Sequence, residues 1–443
     1  MDAASLANTQ TIRLRRELGK WDLTAIGVNQ VIGGAVFALP AALAANAGAW
    51  SPWMVAAVGL ASMLIALSFA EAASRFEGTG GPYLYTRAAF GRFPAFEVGW
   101  MLWFTRAASW ASVINVLVSA LGFYWPSLTT GTPRTVLITT IIATIAAINI
   151  RGIRQSSIVV NVLTIGKLLP LVIFVGAGLF FVDWPRLEPA AAPSLAQFSA
   201  SGLLLIFAFG GYEVIPVPAG EGRNPRRDVP FALITTIALI TLLLMLAQVV
   251  TLGTLPSLAS SRTPLADSAA LFLGPGGAAM ITIGAVLSTA GNNMGGALSG
   301  SRNLFALAEH GDLPYFFGRI HERFRTPVNA ILVTAGISLV LALSGTFQSM
   351  AQASAISRLL VYVATCASML RLRTGRFRDL VNPAEFTVPF GPVIPVAAMA
   401  IAMTILAGAT PVQLRNGLAA LAAGAVLYLI AVATHANKAA GAA

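Results

Sequence analysis

The chain has 443 residues, 56% of them hydrophobic and only 10% charged, with mean hydropathy +0.77. Soluble globular proteins carry about 25% charged residues, so this composition excludes an ordinary soluble domain and points to an all-α polytopic membrane protein. The net charge of +11 would suggest a polyanionic partner in a soluble protein, but its distribution along the chain follows membrane insertion, and nucleic acid is not an expected partner.

Apolar windows recur about every 30 to 40 residues and predict about twelve transmembrane helices. Residues 1–21 form a polar, basic arm with Arg13, Arg15, Arg16 and Lys20, and the apolar run behind it is too long for a signal-peptide core. Helix one is predicted over about residues 22–45, interrupted by Gly33-Gly34, and helix two over about 52–71. The segment 75–93 reads as a basic loop; its GTGG lacks the Lys-Ser/Thr and the preceding strand of a phosphate loop. Helices three, four and five follow at about 94–124, 135–150 and 157–182.

The stretch 201–230 breaks within its own apolar span: Gly210-Gly211 weaken the helix, Glu213 places a carboxylate at membrane depth, and Pro216 and Pro218 delete two backbone donors. Freed peptide groups are tolerated at that depth only against protein or a water-filled cavity, and a helix broken near the midplane is where secondary transporters hold substrate. Helix seven is predicted over 231–252, followed by a Ser-, Pro- and Gly-rich connection over about 253–276. Helix eight starts near Gly277 and passes through Asn292 and Asn293; helices nine to twelve lie at about 327–344, 349–370, 388–408 and 414–434.

With the N-terminus in the cytoplasm and twelve spans, 21 of the 28 Lys and Arg residues fall on the cytoplasmic side. Arg134, Arg186, Arg262 and Arg415 fall outside, and Arg106, Lys167 and Arg358 lie within helices. This is the positive-inside pattern, and it predicts a multi-pass protein of the inner or plasma membrane with both termini cytoplasmic. The single cysteine, Cys366, excludes an intrachain disulfide, and His310, His321 and His435 have no metal-ligand spacing. No cofactor or metal is expected.

Helices one and six are both interrupted by a glycine pair, five helices apart, which points to an inverted repeat with its binding site between the breaks. The chain resembles the amino acid–polyamine–organocation (APC) superfamily of permeases. The resemblance is carried by NQVIGGAVFALP at 29–40, GTGGPYLYTRAAFG at 78–91, NVLTIGKLLPL at 161–171, FAFGGYE at 207–213 with GEGRNPRRDVP at 220–230, and SRNLFALAEHGDLP at 301–314 with RTPVNAI at 325–331. It implies a ten-helix core over 22–370, built of repeats at about 22–182 and 198–370. Residues 371–443 would form two extra helices and a cytoplasmic tail. It also implies alternating access. The chain departs from the family in reading Gly33-Gly34-Ala35 where Gly-Ser/Ala-Gly is usual, and in carrying Pro216 and Pro218 so soon after the second break.

Beyond a helix break, free N–H groups and the positive dipole end favour an anion, and Gly34 and Ala35 are placed to offer them to a substrate carboxylate. The resemblance implies that carbonyls of Val31, Phe207 and Gly210 receive the substrate ammonium, and that Phe207 forms an aromatic gate, with an ordinary core or lipid-facing side chain as the alternative for Phe207. Glycines that serve helix packing alone are the competing reading. Lys167 is the sharpest single residue, because intramembrane ionisable groups are functional by default. The resemblance puts it where sodium-coupled relatives of this fold bind sodium, so its ammonium is expected to replace that ion and couple protonation to gating; a permanent structural tether is the alternative. Arg106 matches a pocket-lining family position, where it would pair with Glu213 or with an acidic substrate. Glu213 is a candidate proton-sensitive carboxylate near Arg106 or Lys167. Arg358 is expected to pair within the bundle, and Glu221 with Arg223, Arg226 and Arg227 to form a cytoplasmic latch. Asn115, Asn292 and Asn293 read as interhelical hydrogen-bonding groups, with pocket lining as the alternative for Asn292 and Asn293.

The expected function is secondary active transport of amino acids, driven by protons or by exchange and independent of sodium. A polyamine or organic-cation permease and a non-transporting membrane sensor are the alternatives. An intramembrane enzyme is not expected, since no Ser/His pair, HExxH motif or paired aspartates are present.

Overall fold

A computed structural model of the chain describes residues 14–37, 39–121, 125–189, 192–344, 347–377, 379–407 and 411–440. Among these the fold is helical throughout, with one isolated parallel bridge between Leu18 and Gly222. The α-helices are α1 (Lys20–Val31), α2 (Leu39–Ala47), α3 (Ser51–Ala73), α4 (Pro82–Phe90), α5 (Arg92–Leu121), α6 (Gly131–Arg151), α7 (Ile153–Gly178), α8 (Leu195–Phe209), α9 (Pro225–Thr254), α10 (Pro264–Glu309), α11 (Val328–Ser344), α12 (Phe347–Leu372), α13 (Val393–Ala407) and α14 (Pro411–Ala440).

The distribution of side chains inverts that of a soluble bundle. On α7 the apolar residues Val162, Ile165, Leu169 and Val172 form a stripe at helical spacing and are all more than half exposed, while the polar Ser156, Thr164 and Lys167 face inward. Stripes of this kind recur on α11 (Leu332, Val340) and α14 (Leu418, Val426, Leu429, Ile430). An apolar exterior of this extent belongs against lipid. Five helical stretches, Leu39–Ala73, Gly131–Arg151, Ile153–Phe181, Pro225–Thr254 and Pro264–Glu309, are long and apolar enough to cross a membrane, and three shorter apolar helices accompany them.

α3 packs on α9, α10 on both α5 and α7, α12 on α5, and α1 on α9, α7 and α10. Small residues let these pairs approach closely: Gly59 of α3 lies against Thr241 of α9, and Gly300 of α10 against Arg106 of α5.

Several boundaries differ from the sequence expectation. The 75–93 loop contains α4, which starts with Pro82 in its first turn and ends at Gly91. The connection at 253–276 is helical from Pro264 onward, with Gly274 at φ +65° interrupting the path into the long inner part of α10. The stretch 201–230 is less helical than expected. α8 begins at Leu195 and stops at Phe209, and only short 3₁₀ turns, Tyr212–Val214 and Val217–Glu221, precede α9. Pro216 and Pro218 supply no donors there, so no α-helical ladder forms.

Candidate functional site

Two chain breaks meet in the middle of the bundle. α1 ends where Ile32 donates to the Val28 carbonyl (2.9 Å), and the chain continues as a 3₁₀ turn over Gly34–Phe37. Gly34 and Ala35 open that turn, the positions whose N–H groups find no acceptor within it. α8 ends where Gly210 donates to Ile206 (3.1 Å). Gly211 then turns the chain at φ +132°, a conformation that favours glycine. A Cβ at Gly211 would lie 2.6 Å from the Gln30 carbonyl oxygen, so the two breaks touch backbone to backbone. Gly33 and Gly34 keep partial exposure in this otherwise buried region. The side chains of Ala35 and Phe207 lie outside the described residues.

The last turn of α1 is stitched to α10. Asn29 Nδ2 donates to the Gly291 carbonyl (2.6 Å), and Gln30 Nε2 to that of Asn292 (2.9 Å). Asn292 Nδ2 returns a bond to the Gln30 carbonyl (2.9 Å). Asn293 donates to Thr289 within its own helix.

Lys167 of α7 closes the other side of the break. Its Nζ is fully buried and donates to the carbonyls of Ile32 (2.7 Å), Asn29 (3.0 Å) and Ser288 (3.3 Å). Ser288 Oγ also donates to Ile32 O, at 2.7 Å. One ammonium therefore fills a cage of backbone carbonyls drawn from the broken end of α1 and from α10. Such a cage suits a monovalent cation, and the side chain supplies one.

Glu213 anchors a second cluster. Its Oε1 faces Arg106 Nη2 (3.1 Å) and Arg358 Nε (2.8 Å), while its Oε2 accepts from the Gly211 N–H (2.8 Å) and the Tyr362 hydroxyl (3.0 Å). Arg106 Nη1 also donates to Gln30 Oε1 (3.2 Å). Tyr212 stacks on Tyr362 with ring centroids 5.4 Å apart, and Phe69 packs edge-on against both. Of the partners expected for Glu213, Arg106 is present and Lys167 is engaged elsewhere; the partner of Arg358 is Glu213 itself. A small cavity of about 10 Å³ lies beside this cluster, between Phe209, Tyr212, Leu359 and Tyr362.

At the arginine-rich end of the bundle the expected latch has different members. Glu221 does not pair with Arg223, Arg226 or Arg227. It forms a fully buried two-bond pair with Arg302 of α10, Nε to Oε2 at 3.1 Å and Nη2 to Oε1 at 3.0 Å. Arg226 and Arg227 pair instead with Glu385, and Arg223 is exposed, its backbone donating to Leu18 O (2.8 Å). Glu17 and Leu18 in turn donate to the Glu221 carbonyl, both at 2.9 Å, so the N-terminal arm covers this end with Leu18 fully buried. Two further carboxylates gather chain segments there. Asp312 accepts from Tyr83, Arg87 and Arg92, and Glu71 from Arg75, Arg373 and the Val388 N–H. Burial, reinforced by Asp312, holds the Tyr83 phenol far above its ordinary range, and the bond to Glu71 raises Arg373.

Asn115 links α5 to α11 through the Ala342 carbonyl and accepts from Arg134. Cys366 is buried in α12. Among the described residues no group of three or more His, Cys, Asp or Glu converges to hold a metal. Sequence reasoning missed Gln30, Tyr362, Arg302 and Asp312. For Gln30 a signal existed: Asn29-Gln30 is a polar pair immediately before the glycine break of an apolar helix.

These features define a helical membrane protein with two broken helices meeting inside its bundle, and sequence comparison gives its family. Residues 18–432 match the amino acid permease family, and the chain belongs to that family, within the APC superfamily. It is similar to the branched-chain amino acid permease BcaP of Bacillus subtilis (strain 168), with 27% identity covering 95% of this chain and 94% of the relative. The serine/threonine exchanger SteT of the same organism is 26% identical, over 90% and 92% of the two chains. An uncharacterized transporter of Mycobacterium tuberculosis (strain ATCC 25618 / H37Rv) is 30% identical, over 95% and 91%.

Proposed function

We propose that this permease is a secondary active transporter that moves amino acids by alternating access, with substrate held between the breaks after α1 and α8. In this reading the chain crosses the membrane twelve times. Repeats at about 22–182 and 198–370 form the core, residues 1–21 and the tail after α14 are cytoplasmic, and 371–443 add two helices. The charge asymmetry supports the orientation. The substrate carboxylate goes to the N–H groups of Gly34 and Ala35, beside Gly33, and its ammonium to the carbonyls of Val31, Phe207 and Gly210, with the Phe207 ring covering it. BcaP and SteT, both named for amino acids, support the substrate class.

The observation that carries the coupling mechanism is the position of Lys167. Its ammonium binds the last carbonyls of α1 and so occupies the cage that a sodium ion would need at this break. Loss of its proton would release those carbonyls and free the break to move. Proton coupling or exchange therefore fits better than sodium coupling. A polyamine substrate is disfavoured, since Arg106, Lys167 and Arg358 outnumber Glu213 among the central charges.

The test is uptake of a panel of labelled amino acids into proteoliposomes in sodium-free buffer, with and without an inward proton gradient. Uptake that rises with the gradient is the expected result for proton coupling, and uptake only against preloaded amino acid is the result for exchange. Uptake that depends on sodium would overturn the mechanism, and uptake of polyamines alone would overturn the substrate class.

A further inference from the structure

The Glu213 cluster does not balance its own charge. Two guanidinium groups face one carboxylate oxygen, and the rest of the shell is neutral: Gln30, Gly211, Tyr212 and Tyr362. Arg106 and Arg358 against Glu213 leave a formal charge of +1 in a cluster where Arg106 is 2% and Glu213 0% exposed. An excess charge in a low-dielectric interior is strongly unfavourable until a counter-charge arrives. Donor capacity is also left over. Arg106 Nε is buried without a partner among the described residues, and Arg358 keeps 10% of its side chain accessible in mid-bundle. Arg358 lies directly at the break of α8, close enough that a Cβ on Gly210 would overlap its guanidinium. A substrate whose ammonium is held by the Gly210 carbonyl thus has its side chain within reach of Arg358.

We infer that the carried amino acid is anionic, with a side chain ending in a carboxylate that Arg358 and Arg106 receive. The inference rests on the amino acid permease reading above and adds the side chain to it. The zwitterionic head contributes no net charge and is held by the backbone at the two breaks. A neutral side chain leaves the cluster at +1, a cationic one raises it to +2, and a carboxylate brings it to zero. The planar fork of arginine suits a carboxylate in two-bond geometry, whereas a neutral amide offers only weaker acceptors.

The experiment measures uptake of labelled glutamate, aspartate, glutamine, leucine, serine and lysine into sodium-free proteoliposomes, in chloride and in gluconate buffers, under an inward proton gradient and with internal amino acid preloaded. Glutamate or aspartate is expected to exceed every neutral or cationic member by about tenfold or more, the scale of a modest charge-assisted contact. Arg358→Gln leaves Arg106 and Glu213 as a balanced pair, so the variant is expected to remain folded, as monitored by size-exclusion profile. It is expected to lower acidic uptake about thirtyfold or more relative to glutamine, while Arg358→Lys keeps the acidic preference. Leucine or serine carried as well as glutamate, an unchanged glutamate-to-glutamine ratio in Arg358→Gln, or neutral uptake that requires chloride would each overturn the inference and leave the permease reading standing. No uptake of any amino acid by folded protein in either mode would remove the permease reading itself.

Discussion

Gly211 and Gln30 join the two broken helices backbone to backbone, with room for a hydrogen but not a methyl group between them. Gly211→Ala would place its Cβ 2.6 Å from the Gln30 carbonyl oxygen at φ +132°. The expected result is a loss of about 2 kcal/mol or more of stability and a fall in uptake of about tenfold or more, since a 1 Å misplacement at a site is costly. Thermal unfolding in detergent and proteoliposome uptake check both, and a variant with normal uptake would show that the breaks need not touch.

The buried Glu221–Arg302 pair makes a different prediction for single and double replacements. Each single change, Glu221→Leu or Arg302→Met, leaves an unpaired charge at 0% exposure and should cost about 3–5 kcal/mol. The double variant should regain most of that stability, because two apolar side chains of similar volume need no counter-charge. Additive losses in the double variant would contradict the pair.

Asp312 holds α4, the start of α5 and the segment after α10 together through Tyr83, Arg87 and Arg92. Arg87 and Arg92 are partly solvated, so Asp312→Asn should cost less than a buried pair, about 1–3 kcal/mol. Thermal unfolding at low and high salt checks it; an unchanged melting temperature at both would show that Asp312 is not a joint.

How far the sequence could be read depended on whether a feature was local. The glycine pairs at 33–34 and 210–211 weaken a helix wherever they stand, so both breaks were visible, and the two prolines after Glu213 announced the missing ladder. The cost of burying a guanidinium was enough to suggest Arg106 with Glu213. That Arg358 shares the same carboxylate was not legible, because nothing local relates residues 358 and 213. The arginines at 223, 226 and 227 are the nearest candidates for Glu221 along the chain, yet its partner Arg302 is 81 residues away. The helices at 82–90 and 264–273 lie in segments that read as loops in the sequence, the first within a basic stretch and the second within one rich in Ser, Pro and Gly. In α4 the proline stands in the first turn and a glycine just past the end, the positions that delimit a helix rather than prevent one.

The central claim is that the Lys167 ammonium holds the broken end of α1 and links its proton to transport. The most direct test compares the wild-type protein with Lys167→Ala, reading amino acid uptake in sodium-free proteoliposomes across a range of pH, with size-exclusion profile confirming the fold. Loss of three charge-assisted bonds predicts uptake reduced about tenfold or more, with the remaining activity insensitive to pH. A Lys167→Ala protein that transports at the wild-type rate with the wild-type pH dependence would contradict the account.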